Sequence, residues 1–370
     1  MQSPGYLRKR LYEGLNHRLR TVAGGRLASY CRPTSIALLL TEQCTARCLH
    51  CDIWKNTARE ENPDAARWKQ VIDDIRDWLG PVQIVFTGGE ALMKPYAIDL
   101  VGHAARRGLF AEILTHGYWV DQKKIERLAL ANPWRVTISL DGLGADHDTV
   151  RGRHGFFEKT AATIATLERV RNEHAMDFGI RLKFVMMSHN LHAAADVARF
   201  ATRPGMDAFY QPIEQNYNTP EDPQWFRHSP NWPADAEAAV RAVEQLISLK
   251  RQGLHVANSE AQLEVMIPYF RNPDSLRIAV QSHAAHEHRA ICHALSMIEI
   301  RANGDVKVCN GLDAVGNIKE ARIRSIWERR PRVWESPWRA AGDSAPSAGC
   351  CLDRRCSNAE KETFSLPILQ

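Results

Sequence analysis

Two rhythms of apolar positions run along this chain. Short apolar runs occupy residues 35–41, 82–87, 111–116, 135–141, 180–187 and 207–213, the length of buried strands rather than of helices. Between them apolar positions recur at three- and four-residue spacing: Trp68, Val71, Ile72, Ile75 and Leu79 in one stretch, Phe157, Ala161, Ile164 and Leu167 in another. Strands alternating with helices of this length predict a parallel sheet wound by right-handed crossovers. Six such units predict the α/β class and a partial (β/α)6 TIM-like barrel, with chemistry at the C-terminal ends of its strands.

The pattern changes at both flanks. Leu7, Leu11, Leu15 and Leu19 mark residues 6–20 as an amphipathic helix ended by Gly24 and Gly25, and Arg8, Lys9, Arg10, Arg18 and Arg20 make it basic. Such a helix is expected to lay its leucines on the domain; the other reading is peripheral contact with an anionic membrane surface or partner. Residues 216–234 break the alternation with Pro220, Pro223, Pro230 and Pro233, and helical patterns return at 234–252 and 258–270. Residues 271–290 read as a polar linker or lid, in which His283, His286 and His288 could be ligands but a solvated run is the plainer reading. From Ile298 to Val308 polar and apolar residues alternate on both sides of Asn303-Gly304, a hairpin signal. The predicted organisation is a basic N-terminal helix (1–34), the barrel (35–230), a helical linker or lid (231–290) and a small C-terminal α+β unit (291–370), without internal repeats.

Composition narrows the function classes. In 370 residues, a hydrophobic fraction of 44% and a charged fraction of 25% describe an ordinary globular chain. A net charge of +5 is too mild at this size to indicate nucleic acid. No run of about 18 apolar residues marks a membrane span, and the polar, basic start lacks the apolar core of a signal peptide. Nine cysteines in such a chain point to metal or redox chemistry in the cytoplasm rather than to disulfides.

Cys44, Cys48 and Cys51 lie at Cys-x3-Cys-x2-Cys spacing directly after the first apolar run. Three thiolates in eight residues can hold three corners of an iron–sulfur cube and leave one iron open to bind and reduce another molecule. A structural zinc site is the bland alternative, but such sites usually join two separate Cys-x2-Cys pairs. Thr87-Gly88-Gly89-Glu90 ends the second strand; its glycines let a ligand approach the backbone and its carboxylate can accept from an ammonium group. The fourth strand ends with Ser139 and Asp141 on one face, followed by His147-Asp148-x2-Arg151-Gly152. Asp141 reads equally as a cap for the next segment. Lys183, Gln211 and Glu214 lie near the ends of later strands, where any of them could clamp a substrate or act as acid or base.

In this order the cysteine loop and the Gly-Gly-Glu turn resemble the motifs of the radical S-adenosylmethionine enzymes. The resemblance implies a 4Fe-4S cluster on Cys44, Cys48 and Cys51 with S-adenosylmethionine on its open iron. It further implies that Gly88, Gly89 and Glu90 meet the methionyl amine, and that Ser139 and Arg151 meet the ribose and the methionyl carboxylate. Thr115-His116-Gly117 stands where relatives often carry Thr-Asn-Gly, which leaves the role of His116 open. Cys292-x11-Gly304-x4-Cys309, followed by Cys350, Cys351 and Cys356, resembles the SPASM extension or its shorter Twitch form. Five thiols instead of seven imply one auxiliary 4Fe-4S cluster, with one of Cys350 and Cys351 a ligand and the other a bystander. Cys31 stands outside every motif as a buried thiol. The implied activity is that of a radical SAM oxidoreductase or maturase, fed by an external flavodoxin- or ferredoxin-type electron donor. A 5′-deoxyadenosyl radical would take a hydrogen from the substrate, which is then oxidised or cross-linked. A ribosomally made peptide is the favoured substrate and a small natural-product intermediate the alternative. A non-catalytic iron–sulfur or zinc-binding protein is the third reading.

Overall fold

A computed structural model describes residues 4–21, 30–57, 61–220, 222, 224–273, 296–308 and 313–330. Six strands pair in parallel and in sequential order: β1 (Ser35–Thr41), β2 (Gln83–Gly88), β3 (Phe110–Thr115), β4 (Arg135–Ser139), β5 (Gly179–Met186) and β6 (Met206–Pro212). The crossovers carry α2 (Ala65–Leu79), α3 (Ala97–Arg106), α4 (Gln122–Leu130), α5 (Ala145–Arg151), α6 (Phe156–Glu173) and α7 (Ala194–Ala201). α8 (Ala236–Arg251) follows β6 and packs on α7, so it supplies the helix of the sixth unit. The region predicted as one further helix holds two short ones, α9 (Glu260–Glu264) and α10 (Met266–Arg271). The partial (β/α)6 barrel expected from the apolar rhythm is the fold observed.

Local chemistry explains these elements. Asp64 caps α2 by accepting from the Arg67 N–H, and the helix buries the same five residues its periodicity singled out. α6 differs, because its buried stripe runs through Phe156, Thr160, Ile164 and Leu167, leaving Phe157 and Ala161 only half-buried. Threonines occupy part of that stripe. The hydroxyl of Thr163 donates to the Gly117 carbonyl at 2.8 Å and that of Thr166 to Gln122 Oε1 at 2.8 Å, which satisfies them where they are buried.

The barrel interior changes character along its axis. At the N-terminal ends of the strands Glu112 accepts from Arg135 at 2.5 Å, Thr137 at 2.5 Å and Gln83 at 2.7 Å. Arg181 and Asp207 form a two-pronged pair beside them, both contacts 2.7 Å. Burial alone would raise the Glu112 carboxyl, but Arg135 and the other donors outweigh it and hold the group below its ordinary range. Above this polar floor Ala37, Leu39, Val85 and Leu114 make a small apolar layer, and the interior opens at the other end.

Three more strands extend the sheet beyond β1. β7 (Met297–Ile300) pairs with β1 in parallel, Ser35 opposite Met297 and Leu38 opposite Ile300. β8 (Asp305–Lys307) returns antiparallel after the turn around Asn303-Gly304, and β9 (Gly316–Asn317) follows it. The predicted hairpin therefore forms, and it forms as part of the barrel sheet. α11 (Ile323–Arg329) then lies on α2, with Trp327 and Trp78 6.3 Å apart.

α1 (Pro4–Thr21) corrects one expectation. Its leucines do not pack on the domain: Leu7, Leu11 and Leu15 are 57%, 66% and 59% exposed. The face turned inward carries Lys9, buried and paired with Glu13, and Tyr12, whose hydroxyl donates to the Pro33 carbonyl at 3.3 Å. Those polar contacts fix the helix with its apolar stripe outward. Cys31 is buried as expected. Cys292, Cys309, Cys350, Cys351 and Cys356, with His283, His286 and His288, lie outside the described residues. Among the described residues no helix is long and apolar enough to cross a membrane.

Candidate active site

β1 ends at Thr41, where its pairing with β2 shifts register, and the cysteine loop begins. Gly88 lies at φ +124, and a Cβ there would sit 2.1 Å from the Thr41 carbonyl oxygen; one on Gly89 would sit 2.3 Å from that of Gln43. The Gly89 N–H donates to Thr41 at 2.7 Å and the Glu90 N–H to Gln43 at 2.9 Å. The chain that these glycines admit is the start of the loop itself. Glu90 is buried behind them. One of its oxygens accepts from the Leu92 N–H at 3.0 Å, the other from the Thr115 hydroxyl at 3.0 Å and the His116 N–H at 2.8 Å. Gly88 and Gly89 line the cavity, whereas Glu90 is not among its lining residues and ties the ends of β2 and β3 together.

The loop is clamped from several sides. Its Arg47 and Leu49 N–H groups donate to the Arg151 and Val150 carbonyls at 3.1 and 3.0 Å, and the Asn231 amide donates to the Leu49 carbonyl at 2.8 Å. His116 Nδ1 accepts from the Tyr118 N–H at 2.9 Å, which leaves the ring proton on Nε2 to be donated to Thr45 Oγ1 at 2.9 Å. Burial keeps that ring neutral by lowering its pKa. His116, whose role the sequence left open, thus fastens the loop to the end of β3.

Arg151 holds the central position. Its Nη1 donates to Cys48 Sγ at 3.2 Å and its Nη2 lies 2.5 Å from Asp141 Oδ2. Asp141 in turn accepts from the Val185 N–H at 2.9 Å, so it braces Arg151 and β5 instead of capping the next segment. The Asp141 N–H donates to His147 Nδ1 at 3.1 Å, and burial pushes that imidazole down to about 3. Burial opposes both charges of the Asp141–Arg151 pair, yet each stabilises the other's ionised form, lowering the acid's pKa and raising the base's.

Cys44, Cys48, Cys51, Ser139, Arg151 and Lys183 line one open cavity at the C-terminal ends of the strands. Burial pushes the Cys44 thiol up to about 12 and the Cys51 thiol to about 11, so as free thiols they keep protons that a metal must displace. Lys183 faces Ser139 across β4 and β5, and burial pushes it down to about 8 against the pull of Glu214. Gln211 is buried and Glu214 half-buried, and neither is among the lining residues. Tyr217 and His50 line the cavity without having been singled out. Tyr217 accepts the Asp52 N–H at 3.0 Å through its carbonyl, and its hydroxyl hydrogen-bonds Arg301, at the end of β7. The fold alone brings Tyr217 there, so no local signal marked it, whereas His50 stands inside the cysteine motif, next to Cys51.

The donor set fits an iron–sulfur cube. Three cysteines free of disulfides share one cavity wall, and among the described residues no three His, Cys, Asp or Glu side chains gather closely enough for a single ion. A cube takes its thiolates at separate corners. Residues 38–197 match the Radical SAM superfamily and form a domain of that family, which implies a 4Fe-4S cluster and S-adenosylmethionine. The chain is 25% identical over 306 residues to the AdoMet-dependent heme synthase of Methanosarcina barkeri, covering 80% of this chain and 82% of that protein. It is 28% identical over 173 residues to the PqqA peptide cyclase of Rhodopseudomonas palustris, covering 46% of this chain and less than half, 44%, of that one. Among solved structures, Streptococcus suis SuiB bound to S-adenosylmethionine shares the fold with a TM-score of 0.62 at 14% identity, over 88% of this chain and 72% of that one.

Proposed function

We propose that this protein binds a 4Fe-4S cluster on Cys44, Cys48 and Cys51, binds S-adenosylmethionine beside it, and oxidises a substrate by radical hydrogen abstraction. The three cysteines converge with Gly88, Gly89, Ser139 and Arg151 on one cavity, and that convergence carries the reading. When bound, the cluster and cofactor supply the electron and the 5′-deoxyadenosyl radical. The residues of the chain position and shield. Arg151 offers an anionic group such as a methionyl carboxylate a cation already oriented by Asp141. Ser139 offers a hydroxyl for the ribose, and Gly88 and Gly89 present main chain to the methionyl amine. Glu90 acts on that amine indirectly, by fixing the turn. Leu39, Val85 and Leu114 exclude water from below.

Two substrate classes have support. A ribosomally made peptide is supported by the similarity to the PqqA peptide cyclase, which is confined to under half of this chain. A small molecule is supported by the similarity to the heme synthase, which runs through 80% of this chain, and the buried Lys183 amine in the cavity wall would suit an anionic one. The second has the wider support. An auxiliary cluster on Cys292, Cys309, Cys356 and one of Cys350 and Cys351 belongs to the same proposal, as the acceptor of the substrate's second electron. The substrate's first electron would leave with the abstracted hydrogen, and an external flavodoxin- or ferredoxin-type protein would supply the separate electron that cleaves S-adenosylmethionine.

Anaerobic reconstitution followed by reduction tests the whole. The expected result is about eight irons per chain, falling to about four when the C-terminal cysteines are replaced, with 5′-deoxyadenosine formed only while Cys44, Cys48 and Cys51 are intact. About four irons in the unaltered chain would remove the auxiliary cluster, and no deoxyadenosine would remove the activity. Mass spectrometry with peptide and small-molecule libraries then reads the substrate as a loss of two hydrogens.

A further inference from the structure

We propose that α1 docks this protein on an anionic lipid surface. Leu7, Leu11 and Leu15 succeed one another at four-residue spacing, which makes an apolar row about 12 Å long on one side of the helix. All three are more than half exposed, while the opposite side is taken up by Lys9, Glu13 and Tyr12. Single exposed apolar residues such as Val120 or Leu130 are ordinary; three in line on one helix are not.

The charge around the row selects the partner. Between Pro4 and Thr21 stand Arg8, Lys9, Arg10, Arg18 and Arg20 against the one acid Glu13, so this helix holds most of the chain's net charge of +5. By the helical repeat of about 100° per residue Arg10 falls at the margin of the leucine row. Its side chain is 66% exposed and lies 3.6 Å from Glu13. Docking this face on an apolar protein groove would bury guanidinium groups, whereas a bilayer takes the leucines into its acyl boundary and leaves the cations among anionic headgroups. α1 is too polar to span, so the contact is peripheral and reversible.

The test is co-sedimentation of the full-length holoprotein with vesicles of phosphatidylcholine alone or with added phosphatidylglycerol. The expected partition into the anionic vesicles is about tenfold or more above the neutral ones, and it weakens as salt rises. Replacing Leu7→Ser, Leu11→Ser and Leu15→Ser together should abolish it while leaving iron content, melting temperature and deoxyadenosine formation unchanged. Equal partition into both vesicles, or undiminished binding by the leucine variant, overturns the proposal. So does light scattering that shows a dimer which the leucine variant loses, because the row would then be an interface between two copies of this chain.

Discussion

Arg151 and Asp141 show how much of this site rests on a few buried groups. Removing one member of a buried pair strands the other charge, so Arg151→Gln should destabilise the apo protein by about 3–5 kcal/mol in urea unfolding. Adding Asp141→Asn should restore a large part of that loss; fully additive costs would mean that the two do not act as a pair. Gly89→Ala should cost about 2–4 kcal/mol and lower the iron retained, because the new methyl meets the Gln43 carbonyl 2.3 Å away. An alanine variant of full stability would show that the loop can yield. At this scale the sequence revealed the residue types and hid their partners. The cysteines were legible because their ligand spacing is local. Glu90 was legible as a motif, but its three donors come from the far end of β3 and from Leu92, which no spacing reports. Asp141 had two equal readings, and only the neighbouring strand's Val185 N–H and the returning Arg151 decide between them.

The elements were easier to read than their neighbours. Each strand of the barrel lies within two residues of its apolar run, since a strand buried on both faces writes its length directly into composition. α6 misled because three of its buried positions are threonines whose hydroxyls are satisfied by the α4 side of the structure. The Asn303-Gly304 turn announced the hairpin, yet nothing local announces that β7 pairs with β1 across more than 250 residues of sequence. That pairing makes the hairpin part of the barrel's core. Arg67 on α2 reinforces it by donating to the Ala321 carbonyl at 3.0 Å. Ile298 is fully buried in β7, so Ile298→Ala should cost about 2–4 kcal/mol and lower one cooperative transition followed by circular dichroism and tryptophan fluorescence alike. Two separate transitions would instead make the hairpin an independent unit.

For the whole molecule, the burial that builds the site also sets its response to acid. His147 is held neutral, its pKa pushed from 6.5 to about 3, while His50 is pushed to about 4 and His116 shifts in the same direction. An unfolded chain takes up protons on these rings as pH falls through 6.5, and the folded chain does not. The unfolded state therefore binds more protons below 6.5, and stability falls with acidification, by up to about 1.4 kcal/mol per pH unit for a ring such as His147 that stays neutral when folded. The carboxylates add to this only lower down. Glu112 and Asp141, whose pKa values are depressed, lose their contribution as pH drops below their ordinary 4.5 and 3.8. Between 6.5 and 4.5 the histidines accordingly dominate. His147→Asn keeps an acceptor for the Asp141 N–H and removes one titrating ring, so it should flatten the pH dependence of stability, read by urea unfolding, in that window by up to about 1.4 kcal/mol per pH unit. A slope unchanged by the substitution would mean that His147 takes up its proton in the folded state as readily as in the unfolded one.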